Sequence, residues 1–466
     1  MAGSLSSNPT FALQPSAQRV ALPSNYLTSF DFLNQDLPVT YEKEFERYGN
    51  RTISSFMRLV GAEIPSASDL IKWAEQGRLH VAYNDVDAPV LTNADALTFT
   101  VNDLASTASP LYDTTTAGLR IGQTIVISDG TNEDKGVITA TPAAGTITVQ
   151  PYADWSVAAS TSGMSLFVYG SEFEKGTSGM VGSLEPQDEI FDNKPIILKD
   201  KYIVSGSDMA QIGWVEVTTE DGATGYLWYL KAEHETRLRF EDHLESAMIE
   251  AVKANEGDVG ADPTYPGSEG VFSAVETRGN LWSGGNPDTL AEFDTVIKRL
   301  DKQGAIEENV LFVNREFSFD IDDMLAAQNS YGAGGTSYGL FDNDEQMALN
   351  LGFSGFRRGY DFYKSDWKYL NDPTMRGLMT GTGVDGLLVP AGTTSVYDQV
   401  LGKNAKRPFL HVRYRASQAE DRRMKTWVTG SAGGASTSDL DAMEVNFLSE
   451  RCVCVMGANN FVLFKK

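Results

Sequence analysis

The sequence predicts an α+β fold that carries a small all-β domain, and three patterns predict it. Short strands with alternating apolar residues, separated by Gly, Asp, Asn and Pro, fill residues 85–170. A helical period then runs for about thirty residues from Leu227 to Val252. A helix, a strand and a second helix follow between 287 and 325, which is typical of a mixed, layered domain.

The length and charge of the chain limit what it does. Its 466 residues suggest roughly three domains of about 150 residues each, and 41% hydrophobic residues are enough to build real cores. The chain has 38 Lys and Arg against 63 Asp and Glu, so its formal charge is −25. A protein that reads nucleic acid needs a basic face for the phosphates, and this balance argues against that class.

Cysteine usage and apolar runs indicate the compartment. The two cysteines, Cys452 and Cys454, cannot form a disulfide framework, and their spacing places both on one face of a strand. The first thirty residues lack a secretory pattern, and nowhere does an apolar run approach the roughly 20 residues that cross a bilayer. We therefore expect an intracellular protein without a membrane segment.

The first part of the chain reads as an arm followed by helices. Residues 1–37 contain apolar residues without a sustained period, which predicts an extended arm that lies on another surface. A helix is expected after Pro38, and a second one from the cap-like Ser66 or Ser68 to Gly77.

A second β segment precedes the long helix. Residues 185–217 are apolar and predict a hairpin that is too long to stand alone in water, so a partner chain would cover it. In the helix that follows, His234 belongs to the predicted apolar stripe and is interpreted as a packed residue.

The last part of the chain is rich in aromatic residues and strands. The aromatic segment 351–368 is interpreted as core or subunit contact, and a sugar-binding platform is the alternative. Five strands are predicted after it: Phe409–Tyr414, Met424–Val428, Glu444–Leu448, Cys452–Met456 and Phe461–Phe464.

Polar motifs give no positive evidence for an enzyme. The pair His234-Glu235 begins like a zinc-protease helix, but Leu238 stands where the second His belongs. The other histidines, His80, His243 and His411, are scattered, and Cys452 and Cys454 are interpreted as small buried strand residues.

The acidic and glycine-rich segments also lack a complete motif. Residues 129–134 and 342–345 do not follow the calcium-loop pattern and are interpreted as solvated turns. Residues 331–339 lack the Lys-Ser/Thr ending of a phosphate loop and are interpreted as a mobile loop. We predict no catalytic, cofactor-binding or metal site, no cofactor, and a protein that is not an enzyme.

The order of elements resembles the major capsid proteins of tailed bacteriophages, which have the Hong Kong phage-type capsid fold. The resemblance rests on the stretch 199–214 that leads into the helix at Trp228–Asn255, on Leu311–Glu316 at a strand-to-helix turn, and on the strands of Met443–Phe464. It implies an N-terminal arm, an extended hairpin loop, a spine helix, and peripheral and axial domains.

The resemblance implies the following division of the chain: an arm at 1–37, the start of the peripheral domain at 38–84, an inserted small β-barrel or sandwich at 85–170, an extended β-hairpin loop at 171–220, the spine helix and peripheral domain at 221–286, the axial domain at 287–400, and C-terminal peripheral strands at 401–466. The inserted domain departs from the minimal fold.

The same resemblance implies a structural function. The chain would assemble into hexamers and pentamers of an icosahedral capsid around double-stranded DNA, in the virion and, during assembly, in the host cytoplasm. Its partners would be copies of itself, with portal, scaffolding and decoration proteins, non-specific contact with packaged DNA, and no membrane. An encapsulin-like nanocompartment shell is the alternative, followed by an acidic carbohydrate-binding or hydrolytic protein.

Two finer expectations follow from the resemblance. Some capsid proteins of this kind form Lys-Asn cross-links, for which the chain offers these residues: Lys194, Lys199 and Lys201 as amines, Asn446, Asn459 and Asn460 as amides, and Glu444 or Glu450 as the acid. The excess of acids predicts a lumen that repels DNA, with these basic residues in subunit contacts: Arg357, Arg358, Lys364 and Lys368.

Overall fold

The computed structural model describes residues 62–77, 80–93, 96–101, 118–143, 145–157, 163–181, 188–210, 217–218, 224–225, 228–254, 265–303, 306–328, 355–379, 383–398, 403–434 and 436–466. These residues fall into two units. Unit 1 contains the described parts of Lys199–His243 and Thr426–Leu448, and unit 2 those of Ile53–Leu198, Leu244–Lys425 and Ser449–Lys466. The predicted arm, the helix after Pro38, and the loops at 331–339 and 342–345 lie outside the described residues.

The strands of the described residues are β1 (Ala62–Ser66), β2 (Ile71–Gln76), β3 (Ala82–Asn93), β4 (Ala96–Val101), β5 (Gln123–Ser128), β6 (Glu133–Ala143), β7 (Thr146–Pro151), β8 (Met164–Ser171), β9 (Asp188–Asn193), β10 (Ile196–Ser205), β11 (Val217–Thr218), β12 (Thr224–Gly225), β13 (Asn280–Ser283), β14 (Glu308–Val313), β15 (Gly355–Arg358), β16 (Tyr360–Asp366), β17 (Val384–Pro390), β18 (Thr393–Asp398), β19 (Lys403–Pro408), β20 (Leu410–Arg415), β21 (Lys425–Gly430), β22 (Ala442–Val455) and β23 (Val462–Lys465).

The helices are α1 (Gly206–Met209), α2 (Trp228–Glu250), α3 (Val271–Arg278), α4 (Leu290–Gln303), α5 (Arg315–Gln328) and α6 (Lys368–Asn371). Single 3₁₀ turns lie at Arg376–Leu378 and Ala458–Asn460. None of the helices in these ranges combines the length and apolarity that a membrane crossing requires.

Six strands close a barrel in unit 2, in the order β3-β4-β7-β6-β5-β8. Alternate residues point inward and fill its interior, so that Phe99, Ile125, Ile138 and Val149 are fully buried in one cluster. The strands that the sequence predicts between 97 and 169 are confirmed, and they form a barrel rather than a sandwich. Closure leaves no free sheet edge among the six described strands of this domain.

The barrel is carried by a two-stranded ribbon. Strand β2 leads toward the barrel and β9 leaves it, and the two pair antiparallel from Ile71 opposite Asn193 to Gln76 opposite Asp188. The prediction of a hairpin over 185–217 is wrong in its pairing, because β9 pairs with β2 while β10 pairs with β22. The strands that pair are separated by the whole barrel, so local turn signals could not identify them.

The expected helix from Ser66 or Ser68 to Gly77 is also wrong. Strand β1 runs parallel to β20, and β2 follows after a short connection. In β2 only alternate side chains are shielded, and the inward ones, Ile71 and Trp73, contact Cys452 and Cys454. A period of two buries this pair, whereas a helix would turn them to different sides.

A six-stranded mixed sheet forms the centre of unit 2, in the order β13-β23-β17-β14-β16-β15. Both of its faces are covered, as the wholly buried β17 shows. Along β14, Leu311 and Val313 face the cluster with α4 and α5, while Phe312 faces the cluster with α3. The predicted order of helix, strand and helix at 287–325 is thereby confirmed, and the α+β class with it.

Unit 1 packs a helix on a small sheet. Its parts of β10, β21 and β22 lie side by side, with β22 in the middle. The Phe240 ring of α2 lies 5.9 Å from the Phe447 ring of β22, measured between centroids. The predicted long helix is confirmed over 23 residues, but His234 is exposed, so its interpretation as a packed residue is wrong. The stripe that contains Phe240 sets the buried side, and His234 lies away from it.

The C-terminal strands are confirmed with one change. The predicted strands 444–448 and 452–456 are a single strand, β22, of 14 residues. Its second half pairs antiparallel with β20, from Leu410 opposite Val455 to Tyr414 opposite Arg451. Residues 449–451 continue the strand, and the buried side chains of Ser449 and Glu450 have polar partners there in the Arg423 carbonyl and the Arg422 guanidinium.

Candidate assembly surfaces

The base of the ribbon is fixed by the buried side chain of Asn193. Its amide nitrogen donates to the carbonyls of Glu269, at 2.9 Å, and Val453, at 2.7 Å. Its oxygen accepts from the main-chain N–H groups of Lys194 and Glu269, each at 2.9 Å, and from the Ser268 hydroxyl at 3.1 Å. A fully satisfied buried amide joins three segments here, and it holds the ribbon to the sheet.

Arg278, the last residue of α3, holds one face of the ribbon. Its guanidinium carbon lies 4.3 Å from the centre of the Phe191 ring and 5.7 Å from that of Trp73. The same group donates to Glu269 at 2.8 Å. Cation–π contact and a carboxylate partner together make this a rigid attachment, so the ribbon and its barrel extend from a fixed base.

The outer face of the barrel carries a group of exposed apolar side chains, which we name the barrel patch: Ile121, Tyr152, Phe167, Tyr169 and Phe173. The Tyr152 hydroxyl donates to the Glu172 carboxylate. Partial desolvation and this hydrogen bond raise the pKa of Tyr152 to about 12, so the hydroxyl keeps its proton at neutral pH. The sequence signal for the patch is the alternation of Leu166 inward with Phe167 and Tyr169 outward.

In unit 1 the sheet face opposite the helix is polar at its centre. Lys201 Nζ lies 3.8 Å from Glu444 Oε1, and the Thr429 hydroxyl donates to Glu444 Oε2 at 3.2 Å. The Asn446 amide donates to Thr429 Oγ1 at 3.1 Å. The structure thus brings one amine, one acid and one amide of the cross-linking prediction to a single sheet face, beside the exposed Ile203.

The other residues named for cross-linking have different surroundings. Glu450 is buried and pairs with Arg422 at 2.8 Å. The Asn460 amide donates to the Gly457 carbonyl at 3.3 Å, and the Asn459 carbonyl accepts from the Asn280 amide. Lys194 and Lys199 have no acidic side chain within salt-bridge distance among the described residues. Cross-linking itself stays a prediction.

The two cysteines are buried on one face of β22, as predicted. His411 lies opposite Cys454 in the neighbouring strand, and its Nδ1 is 3.1 Å from the Pro408 carbonyl, which only accepts. Hydrogen bonding from Cys452 and the nearby His411 lower the pKa of the Cys454 thiol, and the hydrogen bond to Cys454 together with burial raises that of Cys452. Within the described ranges, no three His, Cys, Asp or Glu side chains are arranged to hold a metal ion.

The basic residues expected in subunit contacts mostly have partners in the chain. Lys364 is buried and pairs with Asp322, so its assignment to a subunit contact is wrong. Arg358 pairs with Asp294 and Arg357 with Asp361. Lys368 begins α6. Burial favours an internal acid for Lys364, since an unpaired buried ammonium is costly.

The aromatic segment and the acidic turn have structural roles. Phe362 and Trp367 are buried in the clusters of the central sheet, so they cannot form the sugar platform of the alternative interpretation. In the turn after β5, Asp129 Oδ1 accepts from the main chain of Thr131 and Asn132 at 2.8 and 2.6 Å. That turn is exposed, as predicted.

Sequence reasoning did not identify Asn193 or Arg278. Neither residue belongs to a motif, and each acts through partners that are distant in sequence. The local signal is limited to an Asn at the end of β9, two residues before Pro195.

Comparisons with known proteins give resemblance in structure only. No family model matches the sequence, and no curated protein matches it. The chain is similar to a structure from Microbacterium phage Oxtober96, with 10% identity, 94% of this chain and 99% of that chain covered, and a TM-score of 0.41. It is similar to the capsid of a native GTA particle, with 10% identity, 95% and 98% covered, and a TM-score of 0.39.

A third similar structure is the holo-SrpI encapsulin complex of Synechococcus elongatus, with 12% identity, 60% of this chain and 75% of that chain covered, and a TM-score of 0.33. All three TM-scores lie below 0.5. The solved structures that resemble this chain over more than nine-tenths of its length include phage and capsid structures.

Proposed function

We propose that the chain is a structural protein, not an enzyme, that assembles with copies of itself into a closed shell. In the finer form of the proposal, hexamers and pentamers build the icosahedral capsid of a tailed phage around its double-stranded DNA. The location is then the virion capsid and, during assembly, the host cytoplasm. Portal, scaffolding and decoration proteins are the further partners.

One observation carries the proposal: the chain places exposed apolar side chains on its barrel, on its ribbon and on a strand of the unit 1 sheet. They lie on the barrel at Phe167 and Tyr169, on the ribbon at Ile190, and on β10 at Ile203. A single chain forms a shell through contacts of this kind, shared between neighbours in nearly equivalent environments. Their burial would contribute about 25 cal/mol per Å² of apolar area.

The charge of −25 is consistent with this function. Acidic residues on the inner surface would repel packaged DNA, so that contact between the shell and the genome stays non-specific. A strongly basic inner surface would contradict this part of the proposal.

Negative-stain electron microscopy of the purified full chain tests the proposal. Hollow shells or capsomer rings are the expected result, and particles of monomer size only would overturn it. The contents of the shells separate a capsid from an encapsulin-like compartment, since packaged DNA absorbs at 260 nm and protein cargo appears as a second band in electrophoresis.

A further inference from the structure

The five side chains of the barrel patch are neighbours. The Glu172 N–H donates to the Gly122 carbonyl at 2.8 Å, which places Ile121 beside the end of β8. The Phe173 ring lies over Gly122, where a Cβ would stand 2.5 Å from it. Tyr152 is joined to the same point through its hydrogen bond to Glu172. Phe167 and Tyr169 continue the patch along the outward face of β8.

The size of the patch matches a contact between two proteins. Its members are between 42% and 51% exposed. Large side chains of this kind present about 200 Å² each, so half of five gives roughly 500 Å² of apolar surface. A standard interface buries about 800 Å² per partner, of which about 60% is apolar. The patch therefore supplies about the apolar area that one side of a stable contact needs.

The charge of the chain restricts what covers the patch. Burying an unpaired carboxylate against aromatic rings is costly, and the chain carries 63 acidic residues. A surface that fits must be apolar and nearly free of charge. Glu172, the carboxylate within the patch, already accepts from Tyr152. The aromatic and aliphatic side chains of the patch carry no charge, so a second copy of the patch meets this requirement.

We propose that the barrel patch is a two-fold contact between the barrels of two copies of this chain. Tyr and Phe rings of one copy pack on those of the other, as an isologous interface requires. The inference rests on the proposed shell function, in which copies meet at high local concentration, and it names the surface through which they join. The rigid ribbon gives the barrel a fixed direction for this contact.

Cross-linking of the full chain tests the proposal. The Tyr169→Cys variant places one new thiol in the patch of each copy, while Cys452 and Cys454 are buried. Mild oxidation of assembled particles is expected to give a covalent dimer, at twice the 50.8 kDa of the chain, on non-reducing electrophoresis. Tyr363→Cys, an exposed position on β16, is the matched control and is expected to stay monomeric.

A charge variant provides the second measurement. The substitutions Phe167→Lys and Tyr169→Lys change the formal charge from −25 to −23, because two positive charges are added. This lowers the general repulsion between copies, yet we expect at least a tenfold weaker association in sedimentation. The control Thr131→Lys with Asn132→Lys adds the same charge at an exposed turn of the barrel and is expected to associate like the parent.

The outcomes separate this inference from the proposed function. Particles without the Tyr169→Cys dimer, and with unchanged association of the lysine variant, overturn the barrel contact and leave the shell standing. A dimer without particles supports the contact and overturns the shell. Monomers without either overturn both. An unchanged circular dichroism spectrum of each variant shows that the barrel is folded.

Discussion

The side-chain amide of Asn193 donates a 2.7 Å hydrogen bond to the main-chain carbonyl of Val453, 260 residues later in the chain. The bond joins the end of the ribbon to the long strand β22. Its strength comes from burial, because neither group has access to water that would replace the partner. One uncharged side chain thus contributes directly to the attachment of the barrel to the rest of unit 2, beside the contacts of Arg278.

Replacing Asn193 by Ala removes this joint. We expect a loss of about 3 kcal/mol in unfolding free energy, since buried N–H and C=O groups of Glu269 and Val453 lose their partner. Calorimetric unfolding of the full chain measures it. Asn132→Ala, in an exposed turn, is the control and should change the unfolding free energy by less than about 0.5 kcal/mol. Equal midpoints for the two variants would contradict the role of Asn193.

Arg278→Lys keeps the charge but loses the planar group that lies over the rings of Phe191 and Trp73. We expect the free energy of opening the ribbon to fall by about 1 kcal/mol. The lysine ammonium neither stacks on the rings nor offers the planar pair of N–H donors that a guanidinium offers. Hydrogen exchange of peptides covering 188–193 should become faster, while exchange in the barrel strands stays unchanged. Uniform exchange rates in the parent and the variant would show that Arg278 is dispensable.

Lys364→Met leaves the Asp322 carboxylate in a buried site without its cation. We expect a loss of about 3 to 5 kcal/mol, and recovery of most of it in the double variant with Asp322→Leu. The exposed pair of Lys425 and Glu420 gives the control, because Lys425→Met should cost no more than about 1 kcal/mol. Urea unfolding is measured for the parent, Lys364→Met, Asp322→Leu, their double variant and Lys425→Met, and additive effects of the two single variants would refute a buried pair.

Asp385 gives a dependence on pH. Burial, with the nearby carboxylates of Glu316 and Asp320, raises the pKa of Asp385 despite the opposing charge of Lys466. Folding therefore favours the protonated form, so this group stabilises the fold below its unfolded pKa of about 3.9, and the contribution is lost as pH rises through the native pKa.

Asp385→Asn should accordingly be more stable than the parent at pH 7, because its amide oxygen keeps the 2.8 Å hydrogen bond from Asn314 without the charge. The difference in melting temperature should shrink as pH falls toward 4. A variant that is less stable than the parent at pH 7 would show that the ionised form of Asp385 is favoured by the fold.

The sequence predicts a helix or strand well where its apolar pattern repeats over several residues and its packing partners are close in sequence. Helix α2 and the strands of the barrel follow this rule. The helix shows a helical apolar period over many residues, and each barrel strand shows its own alternation of apolar residues. The prediction fails at β2, because Ile71 and Trp73 belong to a strand that forms only by pairing with β9. The pairing of these strands is set by contacts across more than one hundred residues of sequence.

The candidate surfaces were less predictable than the fold. Lys201, Glu444 and Asn446 were identified from a resemblance, and the structure brings them to one sheet face. Lys364 was assigned to a subunit contact, whereas a buried acid on α5 holds it inside the domain. Neither outcome can be read from a charge in sequence, because only the fold decides which acid stands nearby.

The ribbon has a consequence for how this protein can be altered. Gln76 and Asp188 stand opposite each other in an antiparallel pair, so the chain leaves for the barrel and returns at points about 5 Å apart. A two-residue turn would span that gap. Residues 77–187 therefore form a cassette: the barrel can be removed, or exchanged for another domain with adjacent ends, while the scaffold beneath keeps its own strand pairing.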